Sequence, residues 1–240
     1  MLDNIANRTF LDPTESHIVV KRRLYHEEHM EQKQFESYAG TERIIPVVTL
    51  NDATYAVQLA WALREAGFRT IEVTLRTSDS LRAIQHIASS DCDITVGAGS
   101  ITSPQSVEDA IAAGAEFLVS PGLTENLVDR VRKHEIAFLP GVSTPSDIML
   151  GMELGITLLK FFPAEPLGGA PYLKALAAPF PDARFVPTGG VRPQNLSDYL
   201  DLPSVVACGG SWLTPANAIA SGDMSQVTSL CMEAQELIAR

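Results

Sequence analysis

The sequence predicts an α/β protein whose strands form a (β/α)8 barrel, and two observations predict it. From residue 43 onward, short apolar runs alternate with helical segments in eight regularly spaced strand–helix units. The strand segments are apolar on both faces, as in a parallel sheet that helices cover. Eight such units in succession are typical of the closed TIM barrel.

The predicted strands follow one another in chain order, and each ends at turn residues or at the start of a helix. They span residues 44–48, 70–76, 94–100, 117–122, 137–142, 158–163, 184–190 and 204–210. A capping residue at Asp52 and prolines at Pro104 and Pro145 mark helix starts. A doubly wound open sheet is the alternative, but it would carry a glycine-rich phosphate turn after its first strand. The glycines follow the later strands, which favours the barrel.

Residues 1–42 are predicted to form a partly helical N-terminal extension, and residues 43–240 the barrel domain. Within the extension, a helix is predicted over residues 28–38, ended by Gly40. His26 and His29 lie three residues apart among glutamates. We interpret this charged segment as a solvated helical face rather than a metal site, because no further ligands converge on it in the sequence.

The composition disfavours several classes of partner. A net charge of −11 opposes binding to nucleic acid or to an anionic membrane. No apolar run approaches the roughly 20 residues of a membrane span. Cys92, Cys208 and Cys231 form no disulfide or zinc pattern, and the N-terminus lacks the pattern of a signal peptide. We therefore expect a cytoplasmic protein that binds a small molecule, with no nucleic-acid or membrane partner.

One lysine lies inside an apolar predicted strand. Lys160 stands between two leucines and two phenylalanines, and the other lysines of the chain fall outside the predicted strands. Burying an ammonium is unfavourable unless it is paired, and a desolvated lysine amine can attack a carbonyl to form a Schiff base. The alternative is a structural lysine whose head group reaches water at the strand end.

The second predicted strand carries two charged residues. Side chains alternate along a strand, so Glu72, Thr74 and Arg76 share one face, with Arg76 nearest the C-terminal end. Active sites of barrels lie at that end of the strands. A carboxylate there can move protons, and a guanidinium can bind a substrate carboxylate. A structural ion pair inside the barrel is the alternative interpretation.

Glycines end the last two predicted strands. The segments Thr188-Gly189-Gly190 and Gly209-Gly210-Ser211 would let backbone N–H groups approach an anion, at the usual phosphate position of such barrels. The alternative is that these glycines serve tight turns only.

At these residues the sequence resembles the 2-keto-3-deoxy-6-phosphogluconate (KDPG) aldolase family of class I aldolases. The similar motifs, spread in order over about residues 43–225, are EVTLR at 72–76, VGAG at 96–99, SPGLT at 120–124, PGVST at 140–144, KFFPAE at 160–165, PTGG at 187–190 and GGSWL at 209–213. The resemblance implies that Lys160 forms the Schiff base and that Glu72 is the general acid and base. The substrate contacts that it implies are Arg76 and Ser100 for the pyruvate carboxylate, Pro121 and Phe162 for the pocket walls, and Gly189, Gly190 and Ser211 for the phosphate. We expect Thr188 and Gly210, which lie in the same two segments, to bind substrate as well.

The resemblance also implies the reaction and the assembly. Family members cleave KDPG to pyruvate and glyceraldehyde 3-phosphate, as in the Entner–Doudoroff pathway, and often act on 4-hydroxy-2-oxoglutarate. They need no metal or other cofactor and are typically homotrimers. Ser100 stands where the family usually has threonine, so the hydroxyl is kept and a methyl is lost. The alternatives are an aldolase for the galacto epimer and a non-catalytic sugar-phosphate-binding barrel.

Overall fold

The predicted strand segments form strands in the predicted order. A computed structural model describes residues 30–239. The strands are β1 Ile44–Val48, β2 Thr70–Thr74, β3 Thr95–Gly99, β4 Phe117–Val119, β5 Ala137–Leu139, β6 Gly141–Val142, β7 Leu158–Phe161, β8 Arg184–Pro187 and β9 Cys208–Gly210. Every pairing between neighbouring strands is parallel, which agrees with their apolar character on both faces.

The strands close into a ring. One sheet has the order β5-β4-β3-β2-β1-β9 and the other the order β6-β7-β8. Pro140 joins β5 to β6, and parallel bridges from Phe185 to Val205 and from Thr188 to Gly209 connect the β8 side to the β9 side. The predicted (β/α)8 barrel is therefore confirmed over the open sheet.

The predicted fifth strand is interrupted at Pro140, so it forms two short strands. A proline has no N–H to donate and therefore interrupts a ladder of hydrogen bonds. The Pro140 carbonyl still accepts a hydrogen bond from the backbone N–H of Lys160, at 2.8 Å. On the two sides of the proline, β5 pairs with β4 and β6 pairs with β7.

Helices cover the outside of the barrel. They are α1 Gln32–Glu42, α2 Ala56–Glu65, α3 Ser80–Ala88, α4 Pro104–Ala112, α5 Glu125–Arg132, α6 Pro145–Glu153, α7 Gly169–Ala177, α8 Leu196–Leu200, α9 Ala216–Ser221 and α10 Met224–Ile238. Ser103 and Thr144 cap α4 and α6 with their side-chain oxygens, and a proline follows each cap. Asp52 caps a short 3-10 turn that leads into α2. No helix within residues 30–239 is long and apolar enough to cross a membrane.

Helix α1 packs against the end of the barrel where the strands begin. Its fully buried Phe35 lies against Phe117 of β4, with the ring centroids 4.7 Å apart. Its last residue, Glu42, accepts hydrogen bonds from the Arg69 backbone N–H and the Thr70 hydroxyl at the start of β2, both at 2.8 Å. The helix of the N-terminal extension is thus part of the barrel's packing.

The predicted end of this helix was wrong. The helix continues through Gly40 to Glu42, and Arg43 ends it in the left-handed conformation at φ 60°. Burial of Phe35 and Ala39 outweighs the roughly 1 kcal/mol by which glycine disfavours a helix. The predicted start of the helix at residue 28 and the histidines at 26 and 29 lie outside the described residues.

Buried apolar side chains form two layers. The outer layer lies between the strands and the covering helices. The inner layer fills the barrel and consists of Ile45, Phe117, Val119, Ala137, Leu139, Leu158, Val186 and Ala207, packed with Met30, Phe35 and Ala39 at and before α1. Within residues 30–239, buried polar side chains also occupy the inward face at Thr70, Glu72, Thr74, Lys160 and Thr188.

Candidate active site

A buried lysine and a buried carboxylate meet inside the barrel. Lys160 Nζ lies 3.3 Å from Glu72 Oε1, and the two residues are 5% and 3% exposed. In the described part of the chain, no other ion pair has both side chains buried. Removing an ammonium and a carboxylate from water costs free energy, and this cost makes a buried pair without a function unfavourable.

Opposite strands supply the two side chains. Glu72 lies on β2, and Lys160 lies on β7, in register with Gly141 on β6 and Val186 on β8. In the ring these two strands are on opposite sides, so the pair spans the lumen. The structure therefore brings together the two residues that the sequence singles out for catalysis.

An arginine and a serine form a second polar pair at the C-terminal ends of the strands. Arg76 Nε donates to Ser100 Oγ at 3.0 Å. Arg76 follows β2 and is exposed, and Ser100 follows β3 and is half-buried, with its backbone in the left-handed region at φ 62°. A non-glycine residue in that conformation is uncommon and often marks a functional position. The guanidinium keeps further N–H groups that face solvent and can receive an anion.

An aromatic ring and a proline lie beside the lysine strand. Lys160 Nζ is 5.3 Å from the centroid of the Phe162 ring, within the range of a cation–π contact. Pro121 follows β4 and is half-buried. A Cβ on Gly141 would overlap the Pro121 carbonyl, so the glycine lets the β4–α5 loop approach the β6 strand. Phe162 therefore lies next to the Lys160 amine. Pro121 lies next to β6, the strand that pairs with the lysine strand β7.

The two glycine segments lie side by side. The bridge between Thr188 and Gly209 joins them directly. Gly189 and Gly190 have φ values of 100° and 83°, a conformation that favours glycine. Gly210 is buried, and Ser211, the first residue after β9, is exposed. All the predicted phosphate-site residues therefore fall in one region at the C-terminal ends of β8 and β9.

Glu165 packs against the first of these glycine segments, Gly189-Gly190, and was not predicted as a site residue. Its backbone N–H donates to the Gly189 carbonyl at 2.9 Å, and its Cβ lies 2.6 Å from where a Cβ on Gly190 would be. Its carboxylate accepts a hydrogen bond of 2.5 Å from the hydroxyl of the buried Tyr199. Burial, together with this carboxylate, raises the pKa of the Tyr199 phenol above its ordinary value. The sequence signal was only its place in the motif that follows Lys160.

The described residues hold no cluster for a metal ion. No three side chains of His, Cys, Asp or Glu within residues 30–239 are grouped in a way that could bind one. His134, on the helical side of the barrel, contacts Glu108 at 3.0 Å instead.

Known proteins with similar sequence or structure point to one family. The family model described as "Aldolase: KDPG and KHG aldolase" matches residues 35–230. The 2-dehydro-3-deoxy-phosphogluconate aldolase of Dickeya dadantii is 48% identical over 191 residues, which are 80% of this chain and 90% of that protein.

Two solved structures share the fold closely. The KDPG aldolase of Legionella pneumophila, with pyruvate captured as a covalent carbinolamine, has a TM-score of 0.79 and 40% identity over 82% of this chain and 96% of that one. The Zymomonas mobilis enzyme with 3-phosphoglycerate has a TM-score of 0.80 and 39% identity, over 85% and 95% of the two chains. Barrel, buried lysine–carboxylate pair and similarity to these proteins agree, and the chain belongs to the KDPG and KHG aldolase family.

Proposed function

We propose that this protein is a class I aldolase that cleaves KDPG to pyruvate and glyceraldehyde 3-phosphate. The observation that carries the proposal is the buried contact between Lys160 Nζ and Glu72 Oε1. A lysine amine inside a largely apolar barrel is placed to form an imine with a ketone. The adjacent carboxylate is within reach of the protons that must move. The high identity to named phosphogluconate aldolases supports this reaction over a non-catalytic barrel.

The first half of the reaction forms the imine. The Lys160 amine, freed of its proton, attacks the C2 ketone to give a carbinolamine, and loss of water gives an iminium. Glu72 accepts and returns the protons for these steps. The buried setting strengthens the interaction between the two groups, because little water competes for either one.

The second half breaks and remakes bonds at the neighbouring carbons. Glu72 takes the proton of the C4 hydroxyl, the C3–C4 bond breaks, and its electron pair passes into the iminium to form an enamine. Glyceraldehyde 3-phosphate leaves with C4 as its aldehyde carbon. Glu72 then protonates C3, and water hydrolyses the iminium to release pyruvate and the free amine of Lys160.

The remaining residues bind the two ends of the substrate. Arg76 and Ser100 receive the carboxylate, and Phe162 and Pro121 wall the pyruvyl group. Thr188, Gly189, Gly190, Gly210 and Ser211 receive the phosphate. These short-range donors are needed because a net charge of −11 repels an anionic substrate at long range. The same arrangement accommodates 4-hydroxy-2-oxoglutarate, which lacks the phosphate.

The assembly and the compartment belong to the same proposal. Resemblance to the family supports a homotrimer, and the cysteine pattern supports the cytoplasm. Light scattering on the purified protein tests the assembly, and a mass of one or two chains would contradict a trimer.

Trapping of the imine tests the function. Incubation with pyruvate and borohydride reduces an imine to a stable secondary amine, which adds mass to one tryptic peptide. We expect the added mass on Lys160 in the wild type and in the control variant Lys174→Arg. We expect no added mass in Lys160→Met. Pyruvate release from KDPG, followed with lactate dehydrogenase, must be lost in Lys160→Met. Labelling at another lysine, or KDPG cleavage without Lys160, would refute the proposal.

A further inference from the structure

Two threonine hydroxyls face each other at the mouth of the barrel. Thr49 Oγ1 and Thr74 Oγ1 lie 2.7 Å apart. Val47 and Val48 pair with Glu72 and Val73 in the parallel register, which places Thr49 beside Thr74. Since side chains alternate along strands, both threonines share the inward face that carries Glu72. Thr74 is 2% exposed, whereas Thr49, directly after β1, is exposed.

The threonine pair has hydrogen-bonding capacity left over. Two hydroxyls carry two protons, and the bond between them uses one. Within residues 30–239, neither hydroxyl makes another hydrogen bond; Ser80 and Arg76 donate to the backbone carbonyl of Thr74 and not to its hydroxyl. Because Thr74 is buried, the remaining hydrogen-bonding capacity is at the exposed Thr49 hydroxyl, which is on the inward face of the barrel.

The pair lies between the two ends of the proposed site. Around the ring, β1 stands between β9 and β2. Thr49 therefore lies between the glycine segment at Gly210 and Ser211 and the pair formed by Arg76 and Ser100. Along β2, Thr74 is two residues beyond Glu72, which is about 7 Å further towards the mouth.

The substrate of the proposed reaction has one hydroxyl without a partner in this arrangement. Its carboxylate lies on Arg76 and Ser100, its C4 hydroxyl on Glu72, and its phosphate on the glycine segments. The C5 hydroxyl lies between the C4 hydroxyl and the phosphate along the carbon chain. The next inward group beyond Glu72 on the way to the phosphate is the threonine pair.

We propose that Thr49, oriented by Thr74, hydrogen-bonds the C5 hydroxyl and so selects aldehydes that carry a hydroxyl next to the carbonyl. The inference rests on the proposed function and deepens it. Thr49 is a specificity residue in direct contact with substrate, and Thr74 is a positioning residue that holds the Thr49 hydroxyl towards the lumen.

The condensation direction allows a test with two aldehydes. Pyruvate is condensed with glyceraldehyde 3-phosphate or with 3-oxopropyl phosphate, which lacks the hydroxyl in question. The readout is the ratio of the two kcat/KM values. Thr49→Val should lower this ratio about tenfold, the upper range for loss of one neutral hydrogen bond. Thr74→Val should lower it less, Thr49→Ser should retain it, and Thr41→Val, at an exposed threonine on α1 at the opposite end of the barrel, is the matched control.

The outcomes separate the two proposals. A wild-type protein that does not condense pyruvate with glyceraldehyde 3-phosphate would refute the proposed function. A wild type that does so, together with an unchanged ratio in Thr49→Val, would overturn the role of Thr49. Equal losses with both aldehydes would also overturn it, because they would show a structural role for the pair. Melting temperatures of all variants identify any that fold poorly. If Thr49→Val is one of them, Thr49→Ala, which removes the hydroxyl without adding bulk, decides through its ratio: a tenfold fall supports the role of Thr49, and an unchanged ratio overturns it.

Discussion

Gly99 on β3 lies directly against the carboxylate of Glu72 on β2. A Cβ on Gly99 would overlap Glu72 Oε1, the atom that contacts Lys160. The absence of a side chain at Gly99 therefore leaves room for the Glu72 carboxylate. This contact gives a physical reason for the glycine at the end of the VGAG motif. At 3% exposure, Glu72 has little room to move elsewhere.

Gly99→Ala should therefore reduce activity by displacing Glu72. We expect kcat to fall about 100-fold, since a misplacement of about 1 Å can have that effect. Gly122→Ala is the matched control, because no atom beyond the adjacent residues of the chain lies within 4 Å of a Cβ at that position. Steady-state rates and melting temperatures are measured together, and a folded Gly99→Ala variant with wild-type kcat would contradict the prediction.

Glu72→Gln should separate proton transfer from binding. The amide keeps the size of the side chain and cannot exchange protons as a carboxylate does. General acid–base catalysis contributes about 10²–10⁴-fold, so we expect kcat to fall by that factor with little change in KM. Kinetics with KDPG check this, and a variant with unchanged kcat and a raised KM would show that Glu72 binds substrate instead.

Ser211→Ala tests the phosphate site with little disturbance of the backbone. Ser211 is exposed. A side chain at Gly190 would instead overlap Glu165, and the backbone there has a φ of 83°, which disfavours residues other than glycine. Loss of a hydrogen bond to a charged group, worth about 1.5–3 kcal/mol, should raise KM for KDPG by about 10-fold or more. Turnover of 4-hydroxy-2-oxoglutarate should change much less. Equal effects on both substrates would mean that this segment does not recognise phosphate.

Phe35→Ala tests whether α1 stabilises the barrel. Phe35 is fully buried against Phe117, and phenylalanine-to-alanine changes in cores cost about 3–5 kcal/mol. We expect a loss of that size in the free energy of unfolding, measured by urea denaturation, with KM for KDPG close to wild type. Ser37→Ala, at an exposed position on the same helix, is the control. A small loss in Phe35→Ala would show that α1 adds little to stability.

Glu42 should make stability depend on pH. Burial raises the pKa of Glu42 from 4.5 to about 7, against the opposing effect of hydrogen bonds from Thr70 and Arg69. Between these values the folded state retains a proton that the unfolded state has released. The free energy of unfolding therefore decreases as pH rises from about 4.5 to about 7, by about 3 kcal/mol.

Glu42→Gln removes this titration. Urea denaturation at pH 5 and pH 8 should show a larger loss of stability at high pH for the wild type than for the variant. Other groups titrate in both proteins, so the two proteins are compared by how much the free energy of unfolding changes between pH 5 and pH 8, and the difference isolates Glu42. An equal change in both proteins would contradict the assignment.

Much of the fold could be predicted from local patterns. Apolar runs, caps and prolines located the strands and most helix starts, because these signals act over a few residues. Lys160 and Glu72 stood out because charged residues are unusual within apolar strands. Residue alternation alone placed Glu72, Thr74 and Arg76 on one face.

Other features depended on contacts between residues distant in the chain. Lys160 and Glu72 are 88 positions apart and meet only because the ring closes. The continuation of α1 through Gly40 follows from burial of Phe35, and the role of Glu165 follows from its contacts with Gly190 and Tyr199. The pairing of Thr49 with Thr74 follows from the β1–β2 register. The sequence by itself determined which segments are strands and which residues are candidates for the chemistry, because hydrophobic periodicity and a charge inside an apolar run are local signals. Only the tertiary structure decided which of them touch, because register and closure depend on pairing across the whole barrel.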